Sequence, residues 1–367
     1  MEYFTESVEC LTNGAPHHDE AQKFYDFVKE WSPQYYTHFT RCYITADLFQ
    51  KTEMLKSNPA FRMKEYRNLL KGELALLRSM ALSTDFYKEK LVSVSQRSND
   101  DDRKFTQSHY GNLFRAFSEY HYYEEPSELL GTRLKRNEID LVNVSNKIAL
   151  DDGCGGGRYT VALKKLGFAE VHGVDYRPIN IETAKQRAEQ KKLTGLQYFE
   201  GDVLHLPFAD NTYDFVFCNG VIHHSRSIPD GLKEMIRVMK PGGMGWLYVI
   251  NKPGGIHWDT VELLRHVMRP VSQEYARMVL RLMGIPDNRV FHILDHIMVP
   301  VNTLSSIEEI ESMLHDNNIK EFRRLERGTD FDLTERLYQL KKANHNDPEV
   351  MWKYGPGELR YLFKKPE

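Results

Sequence analysis

Lys147-Ile-Ala-Leu-Asp-Asp-Gly-Cys-Gly-Gly-Gly157 decides the fold. Ile148 to Leu150 form a short apolar strand, Asp151 stands at its carboxyl end, and Gly153, Gly155 and Gly157 alternate through the turn that follows. Open α/β sheets bind ligands outside the carboxyl ends of their strands. Glycine lacks a Cβ, so the loop takes positive φ and its amides approach a ligand closely. Arg158 to Leu166 reads as a helix whose positive end faces that ligand. The stretch predicts a nucleotide cradle, but a glycine turn alone is a weak signal, and the units around it must decide.

Working outward, a second strand, Glu170-Val-His-Gly-Val174, ends in Asp175, where a carboxylate can accept ribose hydroxyls. A third apolar segment, Leu196-Gln-Tyr-Phe199, runs into Glu200-Gly-Asp202-Val203, which puts a further acid where an adenine amino group would lie. The fourth strand, Tyr213 to Cys218, leads into Asn219-Gly-Val-Ile-His-His224. A helix from Asp230 to Met239 then closes at Lys240-Pro-Gly-Gly243 before the strand Gly245 to Ile250. Strands alternating with helices predict an α/β protein, a Rossmann-like doubly wound sheet with right-handed crossovers. A dehydrogenase-type dinucleotide fold fits poorly, because it wants Gly-x-Gly-x-x-Gly amides bare toward a pyrophosphate. Here the loop is Gly-x-Gly-x-Gly behind an acid, which would repel a pyrophosphate and attract an amino group.

Taken together, Asp-x-Gly-Cys-Gly-x-Gly, the distal Asp175, the Gly-Asp202 step, the Asp214-x-Val-x-Cys-Asn strand and Lys-Pro-Gly-Gly resemble the class I S-adenosylmethionine-dependent methyltransferases. The likeness is to the small-molecule, ubiquinone/menaquinone methylase-like branch, where a Leu-x-His-His-type segment often follows the fourth strand; here it is Val221-Ile-His223-His224. It covers residues 105 to 250 well and the C-terminal strand more faintly. The resemblance implies S-adenosyl-L-methionine as cofactor and a mostly parallel sheet with an antiparallel last strand. Asp151 with Gly153, Cys154, Gly155 and Gly157 would hold the methionine end, Asp175 the ribose, Asp202 and Val203 the adenine and Asn219 the floor, with Tyr176 and Gly220 as further cofactor-binding residues. Tyr110, in the approach region that folds over the cofactor in similar enzymes, is the aromatic candidate to face the sulfonium. Most tyrosines there are expected to pack instead.

Composition narrows the class further. A formal charge of −3 gives no global electrostatic case for nucleic acid or an anionic membrane, and no apolar run approaches the length of a membrane span. The N-terminus lacks a signal-peptide pattern, and Cys10, Cys42, Cys154 and Cys218 have no metal-like or paired spacing, so a reducing, cytoplasmic setting and no metal site are expected. Residues 1–103 read as a helical N-terminal region of about four helices. Residues 104–367 read as the core, with helical cap insertions at about 252–303 and 328–356 that are expected, with the helical front, to shape the acceptor pocket. Homo-oligomerisation is left open.

Methyl transfer from a sulfonium is an in-line displacement, and positioning alone supplies several kcal/mol. A protonated, weakly nucleophilic acceptor also needs a base. His223 and His224, where the fourth strand meets the reactive end, are the catalytic candidates; the plainer alternative is that they cap the turn or bond backbone. In the first insertion, His292, Asp295 and His296 share a helical face by their three- and four-residue spacing, and with His257 they are candidates to line a substrate pocket. Arg323, Arg324 and Arg327 are either an exposed charged edge or a site for an acidic acceptor. The expected function is methyl transfer to a small-molecule acceptor. Its alternatives are an RNA-modifying methyltransferase, which would want a basic face around the crevice, and an inactive relative serving as a binding or oligomerisation module.

Overall fold

The computed structural model describes residues 8, 11–86, 88, 117–141, 143–330, 332–343 and 347–367. They divide into two compact units: a helical unit of the described residues up to 88 with 252–300 and 347–355, and a sheet unit of 117–251, 301–343 and 356–367.

The sheet unit is built on seven strands: β1 Ile148–Asp152, β2 Glu170–Asp175, β3 Leu196–Glu200, β4 Tyr213–Asn219, β5 Met239–Val249, β6 Glu321–Arg324 and β7 Leu359–Lys364. Their order is β3-β2-β1-β4-β5-β7-β6, parallel from β3 to β5, with β7 antiparallel to both of its neighbours. Side chains alternate along each strand, and here both sets are apolar. Leu150, Val174, Val216, Cys218, Leu247 and Val249 join one buried cluster, while Ala149, Val171, Phe215, Phe217 and Trp246 join another. A sheet buried on both faces needs helices on both, which is the doubly wound arrangement. Helices Ile228–Val238 and Ile307–Asp316 contribute to the first cluster, and Glu125–Arg136 and Arg158–Lys165 to the second. Their starts are written locally. Ser227 accepts from the Asp230 amide, and Ser306 forms a capping box with Glu309.

Strand order reverses between β1 and β4, so the carboxyl ends of these two strands flank the crevice. Lys240-Pro-Gly-Gly243, expected to close a helix ahead of the fifth strand, instead lies within β5. Met239 already pairs with Tyr213, and a register shift between Tyr213 and Phe215 absorbs the extra residues, so proline and glycine here mark an irregularity inside a strand.

The helical unit contains His18–Glu30, His38–Ser57, Met63–Phe86, Gly255–Met268, Gln273–Leu282, Asp287–Ile297 and the short Val350–Tyr354. Thirteen of the fourteen residues of Gly255–Met268 are buried, so its polar groups must find partners inside. Asp259 accepts from the Thr12 amide and hydroxyl, both at 3.0 Å, and pairs with His17 Nε2 at 2.6 Å. Thr260 meets the Tyr66 hydroxyl at 2.7 Å. Of the stretch expected as a second insertion, helix Leu333–Lys342 stays with the sheet and only 347–355 joins the helical unit. Asp332 explains this: it is 1% exposed and ion-paired to Arg133 at 3.1 Å and to Arg360 at 3.3 Å, both in the sheet unit.

Candidate functional site

The register brings Asp151 and Asp152 of β1, Asp175 of β2, Glu200 of β3, Asn219 of β4 and Tyr248 of β5 to one edge of the sheet. Five residues of the glycine loop complete that edge. Gly157 has φ +89°, and a Cβ there would stand 2.8 Å from the Ala184 Cβ and 3.1 Å from the Tyr122 hydroxyl. Gly153, at φ +84°, would overlap Val221, so the loop packs directly against the segment that follows β4.

Most of the loop's amides are committed to its own shape. Gly153 and Cys154 both donate to the Val174 carbonyl, Gly157 donates to the Cys154 carbonyl, and Gly155 donates to Asp175 Oδ2 at 3.0 Å. A pyrophosphate cradle needs such donors uncommitted, so this loop suits a ligand held by acids. Asp175 is fixed further by the Arg177 amide and the Asn180 side chain, both on Oδ1, at 2.9 and 3.0 Å. With two bonds on Oδ1 and one on Oδ2, the carboxylate keeps about one lone pair for a hydroxyl, fewer than a grip on both ribose hydroxyls requires. Burial raises its pKa against the opposing pull of these donors.

Asp151 is 3% exposed and takes one strong bond from the Thr160 hydroxyl at 2.6 Å. Burial, helped by the nearby Asp175 charge and opposed by Thr160, pushes its pKa up to about 7. Asp152 is fully buried, with the Cys218 thiol as its neighbouring donor, and burial with Asp151 beside it pushes it up to about 8. Two neighbouring acids thus sit at the threshold of ionisation, an environment that a ligand's positive charge would relieve.

Other expected residues fall into place individually. Cys154 is a core thiol, packed with Ile181, Ala184 and Tyr198 and pushed well above the usual thiol range by burial. Tyr176 is 75% exposed beside Asp175. Asp202 accepts the Leu204 amide on Oδ1 at 2.9 Å, and Val203 belongs to the core. Asn219 Oδ1 accepts the Trp246 indole at 3.1 Å, and the Gly220 amide donates to the Tyr248 carbonyl. Tyr110 lies outside the described residues. Of the neighbouring aromatics, Tyr122 is fully buried and donates to the Gly156 carbonyl, and Tyr123 donates to the Arg187 carbonyl, which makes both packing residues.

His223 and His224 lie in the 3₁₀ turn Ile222–His224. His224 Nδ1 is 3.0 Å from the Val301 carbonyl, and a carbonyl only accepts, so Nδ1 carries the proton. In the neutral ring its Nε2 is then an acceptor, and the 3.1 Å contact with His223 Nε2 is a bond donated by His223. His223, 2% exposed, is left with Nδ1 as its basic atom, and its carbonyl takes the Thr303 amide. The pair therefore makes the backbone bonds of the plain reading while defining one proton-accepting nitrogen. Thr160, Asn180 and Tyr248, whose ring is centred 5.9 Å from that of His223, are contributors that sequence reasoning missed.

In the helical unit, the His257, His296 and His292 rings form a row at 5.5 and 5.8 Å, and His257 Nδ1 bonds Glu53 Oε1 at 2.9 Å. Asp295 is half-buried on the same helix. Among the described residues no group of three or more histidines, cysteines or acids has metal-holding geometry. The arginines resolve as a structural edge: Arg323 donates to the Asn137 carbonyl, Arg324 pairs with Glu326, and Arg327 takes Glu335 with both arms.

Residues 150–247 match the family described as a methyltransferase domain. The demethylmenaquinone methyltransferase of Geobacillus sp. (strain WCH70) is 33% identical over 134 residues, 34% of this chain and 56% of that protein. That of Staphylococcus haemolyticus (strain JCSC1435) is 39% identical over 108 residues, 28% of this chain and 43% of its own. The chain thus spans about half the length of the curated relatives it matches. Among solved structures, the YcgJ protein of Bacillus subtilis aligns with a TM-score of 0.39 at 19% identity, over 65% of this chain and 99% of that one. Among the described residues no helix is long and apolar enough to cross a membrane.

Proposed function

We propose that this chain, whose sheet unit is a class I S-adenosylmethionine-dependent methyltransferase domain resembling the menaquinone methylases, methylates a small-molecule acceptor. The observation that carries the reading is Asp151, a carboxyl 3% exposed at the carboxyl end of β1 behind a loop whose donors are mostly spent. That donor set fits a cationic amino-acid moiety. Asp151 would hold the amino group, the remaining lone pair of Asp175 one ribose hydroxyl, and the exposed Tyr176 ring, with Asp202 and Val203, the base. When bound, S-adenosylmethionine supplies an electrophilic methyl group. The chain's own part is to align the acceptor, exclude water and, for a protonated acceptor, receive a proton on His223 Nδ1. The resulting imidazolium would strengthen its bond to His224, making His224 a positioning residue anchored on Val301. Buried, unpaired Cys42, Cys154 and Cys218 support a reducing compartment such as the cytoplasm.

The test incubates the full chain with S-adenosylmethionine and fractionated metabolites and follows S-adenosylhomocysteine together with a product one methyl heavier. Turnover confined to an RNA fraction would move the acceptor class. Cofactor binding without turnover in any fraction would leave a binding module, and no binding by folded protein would end the reading.

A further inference from the structure

Ahead of β1 the sheet unit makes one turn of π-helix, Tyr120–Glu124, in which the Glu125 amide reaches back five residues to the Tyr120 carbonyl. Such turns are rare and recur at functional sites. This one is fastened to both ends of the helix that follows the glycine loop. Arg158, the first residue of that helix, donates to the His121 carbonyl at 2.7 Å, pairs with Glu125 and lies 4.4 Å over the Phe117 ring. Lys165, its last, donates to the Tyr123 carbonyl at 2.7 Å and pairs with Glu124 at 2.8 Å.

Packing alone would give Tyr122 and Tyr123 the same part. Both are buried, their rings are centred 4.6 Å apart, and both join Val161 in one apolar cluster. Their hydroxyls end in different places. Tyr123 donates at 2.8 Å to the carbonyl of Arg187, in the last turn of helix Pro178–Gln190, where a carbonyl has no partner within the helix. Tyr122, with the Arg187 guanidinium 4.9 Å over its ring, donates to the Gly156 carbonyl in the glycine loop. Burial pushes the Tyr122 phenol above its usual pKa, so it keeps its proton and donates throughout the neutral range.

Gly156 stands between the donors that fix the two acids of the candidate site. On one side the Gly155 amide bonds Asp175, and on the other Gly157 opens the helix whose Thr160 hydroxyl bonds Asp151. Three successive glycines bring no side chain to hold this backbone, and glycine has the most conformational freedom to lose. A bond from outside the loop supplies the missing restraint.

We propose that Tyr122 is a positioning residue for the cofactor: without touching it, the hydroxyl sets the Gly155, Gly156 and Gly157 backbone and thereby holds Asp151 and Asp175 in their binding geometry. The proposal rests on the reading of this edge as the S-adenosylmethionine site.

The test measures S-adenosylhomocysteine binding by calorimetry for the full chain carrying Tyr122→Phe, Tyr123→Phe or Asp151→Asn, and follows amide hydrogen exchange over residues 153–160. Each phenylalanine keeps its ring and loses one buried bond of the same kind, so a merely structural role makes the two variants alike. Affinity about tenfold weaker is expected for Tyr122→Phe, and affinity within about twofold of the wild type for Tyr123→Phe, at similar melting temperatures. Exchange over 153–160 should quicken only in Tyr122→Phe. The proposal alone is overturned if Asp151→Asn weakens binding and Tyr122→Phe does not, if the two phenylalanine variants weaken it equally, or if exchange over 153–160 in Tyr122→Phe matches the wild type. Wild-type protein that does not bind, or Asp151→Asn that binds like the wild type, overturns the reading of the site and the proposal with it.

Discussion

Replacing Asp151 with Asn tests the cofactor assignment most directly, because the substitution preserves shape and removes only the charge. The Thr160 hydroxyl, 2.6 Å from Asp151 Oδ2, can donate equally to an amide oxygen, so the loop should stay in place. What is lost is a charge-assisted bond to a cationic amino group, worth about 1.5–3 kcal/mol, or a roughly 10- to 150-fold weaker affinity for S-adenosylhomocysteine. The pH dependence sharpens the test. With a pKa of about 7 in the free protein, the ionised fraction of Asp151 rises about tenfold between pH 6 and pH 8, and affinity should rise with it as binding expels the proton. Calorimetry in two buffers of different ionisation enthalpy should detect release of about half a proton near pH 7 for the wild type and less for the variant. Stability has the opposite sign. The folded pKa lies above the ordinary aspartate value of 3.8, so the native state binds more protons than the unfolded chain, and stability falls as pH rises from about 4 through about 7. Asn at this position should flatten that fall. An Asn variant that binds like the wild type, or wild-type affinity that is flat from pH 6 to 8, refutes the assignment.

Asp175→Ala should weaken cofactor affinity by about 1.5–3 kcal/mol and also lower the melting temperature, since the Gly155 and Arg177 amides and the Asn180 side chain lose their acceptor; calorimetry and thermal denaturation read the two effects. His223→Gln should depress turnover about 10²- to 10⁴-fold with cofactor affinity little changed, and His224→Gln less, because it orients the base rather than being it; equal, near-wild-type turnover across pH would leave positioning as the whole mechanism. Asp332→Asn, which breaks its buried pairs with Arg133 and Arg360, should cost about 3–5 kcal/mol in a denaturant titration, and a loss below 1 kcal/mol would show the arginines to be satisfied elsewhere. The two guanidiniums hold the Asp332 carboxyl well below the usual range, so its contribution should persist above pH 4 and fade only in stronger acid.

Much of the geometry of the candidate edge was legible in the sequence because its determinants are local. An acid at a strand end followed by alternating glycines specifies strand, turn and helix within eleven residues, and parallel register then carries Asp175 and Asn219 to the same edge. What escaped reading depends on partners chosen across the chain. Nothing near His224 announces that its Nδ1 will bond a carbonyl 77 residues away, yet that bond decides which histidine keeps a basic nitrogen. Asn180 and Thr160 look like ordinary first-turn helix residues, and only the fold shows them spending their donors on Asp175 and Asp151. The misreading of Lys240-Pro-Gly-Gly243 has the same origin. Proline and glycine usually punctuate elements, but a register shift against β4 lets the ladder run through them.

The glycine loop shows why hydrogen-bond accounting adds to motif reading. From sequence, alternating glycines behind a strand suggest amides presented to a ligand, and the acid in front and the glycine spacing are the hints that the ligand is not a phosphate. In the structure the Gly153, Cys154, Gly155 and Gly157 amides all have internal acceptors. The glycines therefore serve conformation and close packing, at positive φ and against Val221 and Ala184, rather than donation. On the proposed reading recognition would pass to the carboxylates, and a cationic ligand would relieve the desolvation that raises Asp151 to about 7. A phosphate-bearing nucleotide brought to this edge would meet spent donors and two nearby acids, so substituting Asp151 or Asp175 by Asn should not create measurable affinity for NAD; such affinity would show the committed amides to be available after all.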